Sequence, residues 1–198
     1  MKEYMINSTI RTKVKLIISI ISLALSVAIS MLYNLLTKNI AEDNFWVVYM
    51  NVFLIPSMGA IASFLNFWFD RKLWKTKLFK KLLNTPNLSG LWQIEGTNVQ
   101  GYTYTGELTI VQTFSRISIK GSFKESISNN EETYMSIDQE ITTLRYYYVN
   151  EPKTGNTPLN IHHGFAVLRF VDQSNGSGKY FSDDFRGNQG NWVLKRIT

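Results

Sequence analysis

The 198-residue chain has no cysteine, only two histidines and a formal charge of +6, which excludes a disulfide scaffold and any thiolate-ligated zinc site. Eleven Lys/Arg against four Asp/Glu lie in residues 1–83, and ten against eleven in residues 84–198. The basic surplus therefore belongs to the N-terminal part, and no basic face is left on the rest for a DNA or RNA polymer to dock on.

In chain order, the first element is Leu16 to Leu36, twenty-one residues without a charge. As a helix it measures about 31 Å, enough to cross a bilayer core. A second uncharged run, Phe45 to Phe69, follows a short link. The chain thus predicts a hairpin of two transmembrane helices, with spans at about 16–36 and 45–69. Arg11, Lys13 and Lys15 precede the first span, and Arg71, Lys72, Lys75 and Lys77 follow the second. Basic flanks stay inside, so a two-pass topology with both termini cytoplasmic is expected. Residues 70–83 read as a basic juxtamembrane helix, with Trp74, Leu78 and Leu82 toward the acyl boundary. Ser19, Ser22, Ser26, Ser30 and Asn34 share a face of the first span, and Asn51, Gly59, Ala62 and Asn66 share one of the second. Two readings stand: the helices of one hairpin pack together through these faces, or the faces join between protomers.

From residue 84 the texture changes. Segments rich in β-branched and aromatic residues alternate with Gly, Asn, Ser and Asp clusters. Strands are expected at Gly90–Glu95, Tyr102–Thr113, Arg116–Phe123, Thr133–Gln139, Thr142–Asn150, His163–Val171, Lys179–Phe181 and Asn191–Ile197. Turn signals fall at Asn129-Asn130, Gly155-Asn156, Asn175-Gly176 and Gly187-Asn188. Eight short strands predict an all-β domain over 84–198, a small antiparallel barrel of about eight strands, because closure removes exposed edges.

Catalytic chemistry finds no support. His162 and His163 are adjacent, so on a strand they face opposite ways and cannot readily share a metal. There is no nucleophile elbow and no phosphate-binding glycine loop. A non-enzymatic protein without a cofactor is expected. Binding is better supported. In LRYYYVNEP, Leu144, Tyr146, Tyr148 and Asn150 share one strand face, and Arg145, Tyr147 and Val149 the other. On the next strand His162, Gly164, Ala166 and Leu168 share a face. If Leu144 and Leu168 mark the interior, Asn150 and His162 both point inward at the barrel mouth, with Tyr148 near Gly164. Tyr146, Tyr148, Asn150 and His162 then suit a planar polar ligand, since aromatic faces stack on bases and amides read base edges. Gln112 is a further inward candidate, and Arg145 (or Arg196) a candidate phosphate cation. The same tyrosines equally well fill a core.

The order of features, two spans, a basic helix, PNLSGLW, TIVQTF, LRYYYVNEP, IHHGFAVLRF, GKYF and a closing GNW, resembles the two-transmembrane, β-strand-rich effectors of bacterial CBASS antiphage systems. That resemblance implies a β-barrel receptor for a cyclic dinucleotide made by a partner nucleotidyltransferase. It also implies residence in the bacterial inner membrane, and ligand-driven self-association that disrupts the lipid bilayer. A membrane-anchored lipocalin-like barrel for a lipid, or a scaffold for a protein partner, is the competing reading.

Overall fold

The computed structural model describes residues 1–5, 8–38, 58–83, 85–138, 141–153, 160–183 and 188–197. It divides into two compact units, Ser8–Trp74 and a second made of Met1–Asn7 with Lys75–Thr198. Met1–Asn7 thus group with the barrel unit.

In the first unit, α1 (Ser8–Thr37) packs on α2 (Met58–Arg71). Within α1, Thr12–Leu36 is long and apolar enough to cross a membrane, the one such helix among the described residues. The expected second span is described only from Met58, and residues 45–57 lie outside the described part. Val14, Ile18 and Ser22, spaced four apart, form the buried stripe of α1. Ser19, in contrast, is exposed, as are Gly59 and Asn66 on α2; Asn51 lies outside the described residues. The expected common faces are therefore split between packed and open positions. The hydroxyls of Ser19, Ser22 and Ser30 donate to Lys15 O, Ile18 O and Ser26 O, and Asn66 Nδ2 donates to Ala62 O. Each polar group is satisfied within its own helix. After α2 the chain does not run on as one juxtamembrane helix. A 3₁₀ turn at Leu73–Lys75 precedes α3 (Lys77–Leu83). Trp74, in that turn, is fully buried, whereas Leu78 and Leu82 are exposed.

The second unit is a closed barrel of nine strands. Strands β2 (Gly90–Asn98), β3 (Thr103–Gln112), β4 (Arg116–Phe123), β5 (Ser126–Asp138), β6 (Ile141–Pro152), β7 (His162–Phe170), β8 (Asn175–Ser182) and β9 (Gln189–Arg196) run as an antiparallel meander, and β9 closes on β2. These are the eight expected strands, with adjusted ends. The Asn175-Gly176 turn is displaced: that pair opens β8. The chain reverses before it, where Asp172 accepts from the amides of Ser174 and Asn175 and from the Asn175 side chain. Those bonds hold the Asp172 carboxyl below its ordinary range, the Asn175 side chain contributing most.

The Asn129-Asn130 turn is also absent. Both residues lie inside β5, next to a register shift between Asn130 and Thr133. Here β4 and β5 separate. They pair directly only at Lys120–Ser122 with Ile127–Asn129. Beyond that point a short strand unforeseen from the sequence, β1 (Lys2–Met5), fills the seam. It pairs antiparallel to β4 at Lys2–Ile117 and Glu3–Arg116, and parallel to β5 at Tyr4–Thr133 and Met5–Tyr134. At the point of separation Asn130 Oδ1 accepts from Ile119 N at 2.8 Å, and its Nδ2 donates to Thr133 Oγ1, so a side chain replaces the missing backbone partner.

The seam end of the barrel is solid. Trp92, Ile94, Leu108, Ile110, Leu144 and Leu168 are at most 1% exposed. Gln112, a predicted ligand residue, belongs to this end. Its Oε1 accepts from Leu88 N, and its Nε2 donates to Tyr4 Oη at 3.0 Å and to Pro86 O at 3.2 Å. It is a fully bonded structural amide that ties the N-terminal strand and the entry segment to β3.

Candidate functional site

The opposite end of the barrel is hollow. A cavity of about 380 Å³ is lined by Tyr104, Phe123, Ser128, Tyr148, Asn150 and His162, among others. That volume lies in the ordinary range for small-molecule sites.

Cross-strand pairing explains the opening. Tyr104 lies directly opposite Gly96, Phe123 opposite Gly106, Tyr148 opposite Gly164 and Tyr180 opposite Gly190. A Cβ at Gly96, Gly106, Gly164 or Gly190 would come within 2.2–2.7 Å of the facing ring. Each ring therefore lies flat over a glycine, against the wall rather than across the barrel axis, and the middle stays empty. Trp192 also sits between two glycines, opposite Gly96 on β2, which it shares with Tyr104, and Gly178 on β8.

The walls differ in character. One is aromatic: Tyr180 and Trp192 stack with centroids 5.1 Å apart, Phe123 and Trp192 at 6.1 Å, and Tyr104 meets Phe123 and Tyr180 edge-on. Trp192 Nε1 donates to Tyr104 Oη at 2.8 Å. The other wall is polar: Ser128 pairs with Asn150, and Asn150 with His162, in one row across β5, β6 and β7. All three are buried. His162 Nδ1 is 3.2 Å from Asn160 O, and Asn150 Nδ2 is 3.4 Å from His162 Nε2. Asn150 Oδ1 is buried without a partner. Tyr148 Oη donates to Phe181 O at 3.4 Å.

Tyr146 lies one layer deeper, 6.1 Å from the Tyr148 ring. Burial raises its phenol pKa far above the ordinary value, helped by Tyr148 and Tyr104. Burial likewise raises that of Tyr104, with the neighbouring Tyr180 hydroxyl adding to it. Both hydroxyls stay protonated across the physiological range.

Three predicted residues, Tyr148, Asn150 and His162, thus meet at one cavity, and Tyr146 backs them. Arg145 is elsewhere. It faces outward, donates from Nη1 to Ser136 Oγ and lies 6.0 Å over the Tyr134 ring. Strand alternation puts it outside once Leu144 faces in. Arg196 donates to Ser89 O and Gln173 O at the seam end. Among the described residues, the lysine or arginine lining the cavity is Lys124, at the β4–β5 turn, next to Glu125. Lys153 braces that turn by donating to Phe123 O and Ser122 Oγ. The aromatic wall and Lys124 were missed by the sequence reading. Tyr104 and Gly106, two residues apart in TYTGE, were the available signal, legible only with the register in hand. His163 points outward, 3.6 Å from Glu131. No group of three potential metal ligands occurs among the described residues.

Fold and cavity together define a closed β-barrel with a ligand-sized site at one end, joined in sequence to a helix able to span a membrane. The family model for the Cap15 cyclic dinucleotide receptor domain matches residues 83–196. The chain is 38% identical over 151 residues to CD-NTase-associated protein 15 of Yersinia aleksiciae, covering 74% of this chain and 73% of that protein. A redesigned β-barrel of known structure aligns with 18% identity and a TM-score of 0.32, over 56% of this chain and 92% of its own; that likeness is too low to add to the barrel seen directly. The chain belongs to the family of CBASS defence effectors that carry a cyclic dinucleotide receptor domain.

Proposed function

We propose that the hollow end of the barrel binds a cyclic dinucleotide supplied by a partner nucleotidyltransferase, and that the chain acts as a receptor rather than an enzyme. The observation that carries this reading is the pairing of an aromatic wall with a buried polar row inside the matched residues. Stacking on Tyr148, Tyr180 or Trp192 suits any base face. Asn150 and His162 supply directional contacts, and Lys124 at the rim supplies charge for a phosphate.

Binding then favours association of barrels, and the tethered hairpins are concentrated in two dimensions. The ligand shifts assembly only by its preference for the assembled state. Ser19, Gly59 and Asn66, open on the hairpin surface, are the small and polar positions available to a second copy. In this reading the chain is a two-pass inner-membrane protein with both termini in the cytoplasm. Its assembly disrupts the bilayer and arrests the infected cell.

The test is calorimetric titration of the full chain in detergent micelles with a cyclic dinucleotide panel and, separately, fatty acids. Tyr148→Ala should weaken cyclic dinucleotide binding. Binding of fatty acid alone would replace this reading with that of a lipid-carrying barrel.

A further inference from the structure

The Asn150–His162 pair has a fixed polarity. The Asn160 carbonyl facing His162 Nδ1 only accepts, so Nδ1 carries the ring proton and Nε2 offers a lone pair. Asn150 must then turn its NH₂ group toward Nε2. Its other end, Oδ1, is left buried and unpartnered beside the cavity. An unmet buried acceptor is unfavourable, and a ligand bringing an N–H relieves it. Asn150 itself is 7% exposed and His162 8%, so the pair is held by its surroundings and does not turn freely.

We propose that Asn150 reads the base of the bound messenger as an acceptor only, selecting a base edge that presents an N–H donor. This rests on the placement of the ligand in the same cavity. A free asparagine serves amino and keto edges alike by turning over. Here the amide nitrogen is committed to His162, so a keto oxygen in this position meets the Asn150 carbonyl and gains no bond. His162 is the positioning residue that makes a two-way amide one-way.

The three ligands that test this are cyclic di-AMP, cyclic di-GMP and the cyclic dinucleotide of unsubstituted purine. Unsubstituted purine keeps the ring frame with neither an exocyclic amino group nor a ring N–H, so its cyclic dinucleotide is the comparator for both others. The full chain in detergent should bind at least one donor-bearing ligand about three- to tenfold more tightly than this comparator, the yield of one neutral hydrogen bond. Asn150→Leu should bring that ratio near one. Asn150→Asp keeps an acceptor oxygen and should preserve the order of affinities, which covers the case in which the leucine variant does not fold. His162→Leu frees the amide and should also shrink the ratio, whereas loss of packing alone would weaken all three ligands together. The unsubstituted-purine ligand binding as tightly as both others, or a ratio that survives Asn150→Leu, overturns the proposal while leaving the ligand class intact. Failure of the folded chain to bind any of the three overturns both.

Discussion

Tyr4→Ala is the substitution that tests whether the N-terminal strand is part of the barrel. Tyr4 is 1% exposed, in the core cluster with Leu88 and Ile117. Its hydroxyl donates to Thr113 O at 3.3 Å and accepts from Gln112 Nε2 at 3.0 Å. Truncating a buried aromatic costs about 3–5 kcal/mol. The lost hydroxyl bonds contribute about 1 kcal/mol of this, so Tyr4→Phe, which keeps the ring, isolates that share. For a domain of this size each kcal/mol moves Tm by roughly 3–5 °C, so Tyr4→Ala should lower Tm by roughly 10–20 °C and Tyr4→Phe by only about 3–5 °C. Thermal unfolding of the full chain in micelles, followed by Trp fluorescence, reads both. Hydrogen exchange should quicken locally at Ile117 and Thr133, the seam partners of β1. A Tyr4→Ala Tm within about 2 °C of the parent, with unchanged exchange at those amides, would refute the seam. The same logic bears on expression of the barrel alone: a fragment starting at residue 84 lacks β1 and leaves edges of β4 and β5 open.

The cavity yields further expectations. Gly164→Ala places a methyl 2.2 Å from Tyr148 Cζ and 2.6 Å from Phe181 O; overpacking of this kind costs about 1–3 kcal/mol, so both Tm and ligand affinity should fall, and a variant with wild-type values would mean that the ring does not lie on that glycine. Lys124→Ala should raise the cyclic dinucleotide Kd roughly two- to fivefold at low salt and flatten its salt dependence, with Lys124→Arg restoring both; identical salt profiles would remove Lys124 from phosphate contact. Alkaline titration tests the buried phenols. Tyr146 and Tyr104 have pKa values raised above the unfolded value, so their contribution to stability is complete below about pH 10 and is lost as pH rises further. Tyrosinate absorbance should therefore show a late fraction of phenols that ionises only with unfolding, whereas one smooth transition of all ten tyrosines near the ordinary value would contradict their burial.

The barrel was legible in the sequence because its strands carry local signals. Period-two patterning finds eight strands with most ends within four positions, and Arg116–Phe123 agrees at both ends, although β5 starts at Ser126, well before the expected Thr133. Where the sequence reading failed, a distant partner decided. KEYM at Lys2–Met5 has no strand signature of its own; it is a strand because β4 and β5 separate and leave ladder groups to be paired. Asn129-Asn130 looks like a turn because asparagine bonds its own backbone readily, but here the Asn130 amide is used across strands, to Ile119 N. Arg145 entered the candidate site through a need for positive charge, and strand alternation sends it outside.

The polar wall of the cavity was accessible to parity because one well-marked interior pair, Leu144 with Leu168, fixes the facing of everything on β6 and β7. From it follow Tyr148 over Gly164 and Asn150 beside His162. The aromatic wall required two more registers, β2 with β3 and β8 with β9, and no single strand encodes them. Parity also cannot say whether an inward tyrosine fills a barrel or lines it. Leu108 and Leu168 also face glycines, Gly121 and Gly178, yet that level of the barrel is solid, because branched side chains from neighbouring strands reach its centre. At the open end the facing residues are flat rings, which lie along the wall and leave the axis clear. Phe170 also faces a glycine, Gly176, but at the solid end the Trp92 ring packs against it 4.9 Å away. The cavity therefore depends both on which side chain faces each glycine and on what neighbouring strands send to the axis, a property of strand pairs rather than of any one sequence segment.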